Sequence, residues 1–415
     1  MLLGAGHEVA GTTLDAIFNP QDAGGTAASE QPLGTRFLIF PQPPYIPGYE
    51  KPEVVWIGPS AGPIVSGPSD SRMYVVNPDE VKAPYLAPDI PPYPGFVRPP
   101  VAPGPDGHFD HIGPGSPDFL STHCYACARH VLDVCESYAG HSIPWFFAPT
   151  LKRLEIIPRI AHWENAQSGF GFLEMGEEEP ESPTSCFALN FDAVAHEMGH
   201  LILLGELGVL QGDGSGSDFF SYHEAIADFI SLLGLLQFDT AIDRVLRRTG
   251  GDLLLHNELD RFAELSNEKQ LRSLNNSLRL SDVSNEVHDQ SKPFAAGLFD
   301  CLIEVYQTLL FERGLSRIDP RRYSNLRQQL APELIEIGLR PAKKSGDLHH
   351  FAMKSALQEA RDIVGEALTR SWRYLEPDTL TFESAAVVFI EAAWQGRGNE
   401  YAGQFEDCMR WREII

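Results

Sequence analysis

The chain has 415 residues, 43% of them hydrophobic, and carries 57 acidic against 32 basic residues for a net charge of -25. That length and apolar content suffice for a substantial core in one large domain or two, while the acidic excess repels phosphate backbones and anionic lipid and so excludes nucleic acid as an expected partner. No apolar run approaches the roughly 20 residues of a bilayer span. The opening MLLGAGHEVAG has neither a basic nor a sustained apolar segment, so the expectation is a protein with no membrane span and no export signal, cytoplasmic by sequence. Nothing in the composition sets an oligomeric state.

Of the 32 prolines, 22 precede residue 118. They alternate with Gly turns and with short β-rich runs, RFLIF (36–40), EVVWI (53–57) and RMYVV (72–76), which predicts irregular β structure with long loops over 1–117. Within it PDIPPYPGFVRPP (88–100) reads either as a polyproline ligand for a partner or as an ordered loop wrapped over the rest. A helix is expected over 118–139. It carries THCYACARH, with Cys124 and Cys127 flanked by His123 and His130; no second CxxC completes a zinc knuckle, so the cysteines read as small apolar groups packed inward. Six cysteines are too sparse to imply a disulfide framework. Strands are expected near 152–160 and 168–175, then an acidic loop, EEEPESP (177–183). From about 190 helical periodicity dominates, at 222–238, 292–313, 347–371 and 381–395. The chain thus divides into 1–117, an N-terminal lobe at 118–200 and a helical C-terminal lobe at 201–415.

FALNFDAVAHEMGHLILLGELG is an apolar helical stretch holding three titratable groups in its centre. His196 and His200 are four apart, so on a helix both imidazoles leave one face about 6 Å apart along the axis, a spacing that suits two ligands of one tetrahedral zinc. Glu197 is offset by about 100° and can reach a metal-activated water without displacing it. A second apolar helix, SYHEAIADFISLL (221–233), repeats the anomaly with Glu224 and Asp228, again four apart. Carboxylates there are costly unless paired or ligating. Glu224 can supply the third metal ligand, and Asp228, one turn on, can accept the other ring N–H of a ligating histidine.

These two motifs together resemble the thermolysin-like gluzincin metallopeptidases, in which HExxH is followed by a Glu-x-x-x-Asp helix; here the second histidine and Glu224 are 24 residues apart, with GDGSGSD (212–218) as an inserted loop. The resemblance covers about residues 118–310. It implies an α+β thermolysin-like zincin fold, a β-rich N-terminal half meeting a helical C-terminal half with the active site between them. It also implies a zinc-dependent endopeptidase in which Glu197 is the general base. ENAQSGFGFLEMG (164–176) is similar to the family's edge strand, which assigns Asn165 and Ala166 to substrate binding by strand addition. LRSL (271–274) is similar to the segment whose arginine contacts the substrate, which assigns Arg272. NEVHDQSKPFAAGLF (285–299) is similar to the segment carrying the histidine that steadies the tetrahedral intermediate, which assigns His288, expected just before the start of a helix at 292.

Three positions depart from that pattern. His223 stands where the family has Asn. Gln211 replaces the expected intermediate-stabilising tyrosine, leaving Tyr222 as the substitute to consider. Asp192 matches a calcium-binding acid, but its partner position holds Leu235, so zinc is the expected cofactor and calcium lacks half of its cage. The alternative is a non-proteolytic binding protein that retains the zincin metal site. For the leading reading the expected partner is a peptide or protein substrate.

Overall fold

TRFLI and EVVWI, both rich in β-branched and aromatic residues, pair antiparallel as β1 (Thr35–Ile39) and β2 (Glu53–Ile57), with Phe37 opposite Val55. The computed structural model describes residues 34–178, 186–212, 218–253, 259, 261–262, 272–317, 319–322 and 347–415. The opening eleven residues, positions 179–183 of the acidic loop and positions 213–217 of the inserted loop lie outside the described residues. From Thr35 to Ile415 the described residues cluster as one compact unit of mixed α+β architecture.

The principal sheet has four strands in the order β3-β4-β6-β5: β3 (Met73–Val75) and β6 (Phe172–Glu177) run parallel to β4 (Leu154–Ala161), and β5 (Ala166–Gly169) runs antiparallel to β6. Every residue of β6 is buried, as expected for an inner strand covered on both faces. β5 is the sheet's edge. The single strand expected at 168–175 is instead the hairpin β5–β6, which turns at Phe170 and Gly171. Gly171 has φ +89, a left-handed conformation that a side chain would strain, and glycines inside a hydrophobic run are a turn signal that overrides β propensity.

The Pro-rich residues after β3 form an ordered strap, not a free ligand. Tyr85 and Tyr93 backbone N–H groups donate to the carboxylates of Glu174 (2.9 Å) and Glu155 (3.0 Å) on the sheet. The Tyr74 and Tyr85 hydroxyls also donate to Glu155, at 2.8 and 2.7 Å, and buried Lys82 pairs with Glu174. Two buried acids in the sheet are thereby fully engaged, which is the condition for tolerating them there.

Helix α1 (Phe119–Ala139) lies against both the sheet and the helical part. Cys124 and Cys127 are wholly buried and all six cysteines are free. α2 (Phe191–Leu207) starts at Asn190, whose side chain accepts from the Asp192 and Ala193 N–H groups. α3 (Phe219–Leu235) packs along it. Two helices were not anticipated, α4 (Asp239–Thr249) and α8 (Ala402–Trp411); both are short and strongly amphipathic.

α5 (Val287–Glu312) begins five residues before the expected helix start, because Glu286 caps it by accepting from Asp289 N–H. Pro293 therefore sits inside the helix, where it forfeits one backbone bond. Contrary to the reading of the sequence, α5 is long and apolar enough to cross a bilayer by length and composition; its most apolar window is 94% buried, and it serves as the core helix around which α3, α6 (Asp347–Trp372) and α8 pack. α7 (Phe382–Trp394) completes the helical part, opened by a Thr381 cap.

Candidate metal centre and substrate cleft

What brings the two polar helices together is a pair of small residues. Gly199, inside the HEMGH motif, faces Ala227 of α3 so closely that a Cβ on Gly199 would lie 2.8 Å from the Ala227 Cα. At that approach Glu224, three residues before Ala227, and Asp228, the residue after it, reach the imidazoles of α2. His196 Nε2 and His200 Nε2 are 3.0 Å apart. Each lies 3.4 Å from a different oxygen of Glu224.

One ligand atom from each of the three residues forms a triangle whose corners all lie within 4.8 Å of one another. Two imidazoles and one carboxylate are a donor set suited to zinc, which takes three protein ligands and an open position in catalytic sites. Asp228 Oδ1 lies 2.8 Å from His196 Nδ1. A carboxylate only accepts, so Nδ1 carries the proton and Nε2 presents its lone pair to the triangle. His196 and Asp228 are buried, 7% and 2% exposed, and in that environment the pair secures both the tautomer and the ring plane. Among the described residues this is the one His/Cys/Asp/Glu group that could hold a metal ion.

The triangle lies in a cleft of about 900 Å³. One wall is the edge strand, with Asn165, Ala166, Gln167 and Ser168; the other is formed by the first turns of α3 and α5. Asn165 and Ala166 both line the cleft, and Ala166 pairs with Met175 on one side only. Glu197 lines the cleft, and its Oε2 accepts from the Ser168 hydroxyl at 2.9 Å. His288 is exposed in the first turn of α5, with Nδ1 donating to Glu286 Oε1 at 2.8 Å and Nε2 3.5 Å from Glu224 Oε2.

The remaining assignments fare differently. The backbone of Arg272 lies in a short ribbon, β8 (Arg272–Ser273) against β7 (Arg261–Phe262), and its side chain lies outside the described structure. Tyr222 does not take the place of the missing tyrosine. It is 1% exposed with its ring against Phe294, and it lies away from the cleft, because on α3 it is two positions from Glu224 and so turned to the opposite face. The Asp192 carboxylate is engaged by Gln42 Nε2 at 3.1 and 3.0 Å.

His223 lies flat against His200, ring centroids 5.9 Å apart and 13° between planes. Burial, and then the charge of His200, push its imidazole down to about 3, so it is a neutral wall of the cleft. Ser168 and Glu286 escaped the sequence reading. Ser168 had one usable signal, its place two residues after Ala166 on the same strand face; Glu286 had none beyond the helix cap.

No family model matches the chain, and no curated protein is similar to it.

Proposed function

We propose that the protein is a zinc-dependent endopeptidase of the thermolysin-like gluzincin type, with His196, His200 and Glu224 holding the metal. The observation that carries this is the donor triangle, oriented from behind by Asp228 and flanked by Glu197, at the foot of an edge strand. When bound, zinc would serve as a Lewis acid that lowers the pKa of a water toward about 7 and polarises a carbonyl. Calcium has no part in this proposal.

The chain's own residues would do the rest. The outer edge of β5, with Asn165 and Ala166, takes an extended peptide by backbone hydrogen bonding. Glu197 accepts the proton of the attacking water and passes it to the leaving amine, a contribution typically of about 10²–10⁴-fold. His288, its ring held by Glu286 at the first turn of α5, would stand beside the oxygen on which negative charge develops.

The test is metal analysis together with a peptide-library digest, with and without chelator, on the protein and on Glu197→Gln. Expected are one zinc per chain in both, chelator-sensitive cleavage by the unaltered protein and none by the variant. Undiminished cleavage by Glu197→Gln defeats the assignment. Zinc-loaded protein that cuts nothing yet retains a specific ligand favours a binding protein that keeps the metal site.

A further inference from the structure

A hydrogen bond links the edge-strand wall of the cleft to the metal helix, from Ser168 Oγ to Glu197 Oε2. Ser168 is rigidly held. Its backbone is set by the antiparallel register Ser168 to Leu173 and Gly169 to Phe172. The following turn is tight: a Cβ on Gly171 would fall 2.3 Å from Leu151 Cδ1. On the opposite strand face Gln167 Nε2 donates to Glu174 Oε2 at 2.6 Å and to the Tyr85 carbonyl at 3.1 Å. Glu174 is the same carboxylate that Lys82 and the Tyr85 N–H engage. The Pro-rich strap therefore braces the strand from behind while Ser168 projects from its front.

A glutamate side chain is rich in rotamers, and freezing it in one costs up to about 1.5–2 kcal/mol unless a neighbour fixes it. A hydroxyl on a braced strand does that: it engages Oε2 and so directs the carboxylate's remaining lone pairs. We propose that Ser168 is a positioning residue, whose hydroxyl holds the Glu197 carboxylate in the orientation for proton transfer. The inference rests on the general-base role proposed for Glu197, and it gives the N-terminal strap a purpose, since Lys82 and Tyr85 reach Glu197 through Glu174, Gln167 and Ser168.

The experiment compares Ser168→Ala and Ser168→Thr with the unaltered protein. Threonine keeps the hydroxyl and suits a strand. In Ser168→Ala, kcat should fall about 10-fold with KM within about twofold and zinc content unchanged; Ser168→Thr should recover to within about threefold. Unchanged kcat in the alanine variant, equal impairment of the threonine variant, or a raised KM with intact kcat each overturn it, the last because Ser168 would then merely touch substrate. A second readout needs no activity: in protein carrying ¹³C-carboxyl glutamate, the Glu197 resonance, identified by its loss in Glu197→Gln, should move in Ser168→Ala and return in Ser168→Thr. A resonance unmoved by Ser168→Ala overturns the inference. If the zinc-loaded protein cuts no peptide, the endopeptidase proposal fails, and the resonance still decides for or against Ser168.

Discussion

Helices α1 and α2 each carry two histidines in apolar surroundings, yet the two pairs end in opposite chemistry. On α1, His123 Nε2 accepts from Phe40 N–H at 3.0 Å and Nδ1 donates to the Ala188 carbonyl at 2.9 Å. His130, seven residues on, lies 3.4 Å from the Gly234 carbonyl. Each ring is taken up by the backbone of a different segment. On α2 the two rings face each other and a carboxylate from α3. A histidine in a core becomes a ligand site when a second element brings acids to it, and becomes a structural pin when backbone groups satisfy it first.

Removing one ring from each helix tests that difference. His200→Ala should abolish stoichiometric zinc binding and with it all chelator-sensitive hydrolysis; zinc retained at one per chain would place the ion elsewhere. His288→Ala, which leaves the triangle whole, should keep zinc and lower kcat by about 10²–10³-fold, the usual loss of one oxyanion donor. Asp228→Asn should retain the fold and weaken zinc affinity by about 10–100-fold, measured by competition with a chromogenic chelator. An unchanged affinity would mean that Asp228 does not hold His196 in its tautomer.

The remaining test belongs to α1, and its readout is stability alone. Burial pushes the His123 imidazole down to about 4 from 6.5, so the unfolded chain takes up a proton that the native state refuses. The stability involved is fully present above 6.5 and is lost as pH falls toward 4, by about 3 kcal/mol in all. In urea unfolding across that range His123→Gln should flatten this part of the pH dependence while zinc content stays at the unaltered level. A slope equal to that of the unaltered protein would show that His123 is not the group responsible.

Much of the site is legible because helical spacing is a local property. His196 and His200, like Glu224 and Asp228, are four apart, so the face they share follows from helix geometry alone. Other features are set by what each element meets. The β5–β6 hairpin was read as one strand because its apolar residues straddle a glycine turn. α5 was read five residues short because Pro293 looked like a start, although the effective cap is Glu286. Tyr222 looked available until the rotation of α3 turned it into the core. Ser168 carries no signature of its own, and its bond to Glu197 exists because the sheet edge and α2 are adjacent.

The sequence by itself determined that two helices bear donor pairs on single faces, that the chain is acidic and mixed α+β, and that α1's cysteines pack inward, since periodicity, charge and side-chain size act within a few residues. Only the tertiary structure decided that the two faces meet, through the close approach of Gly199 and Ala227, and that the edge strand lies beside Glu197. Distances between elements depend on how closely backbones pack, and that is a property of both partners at once.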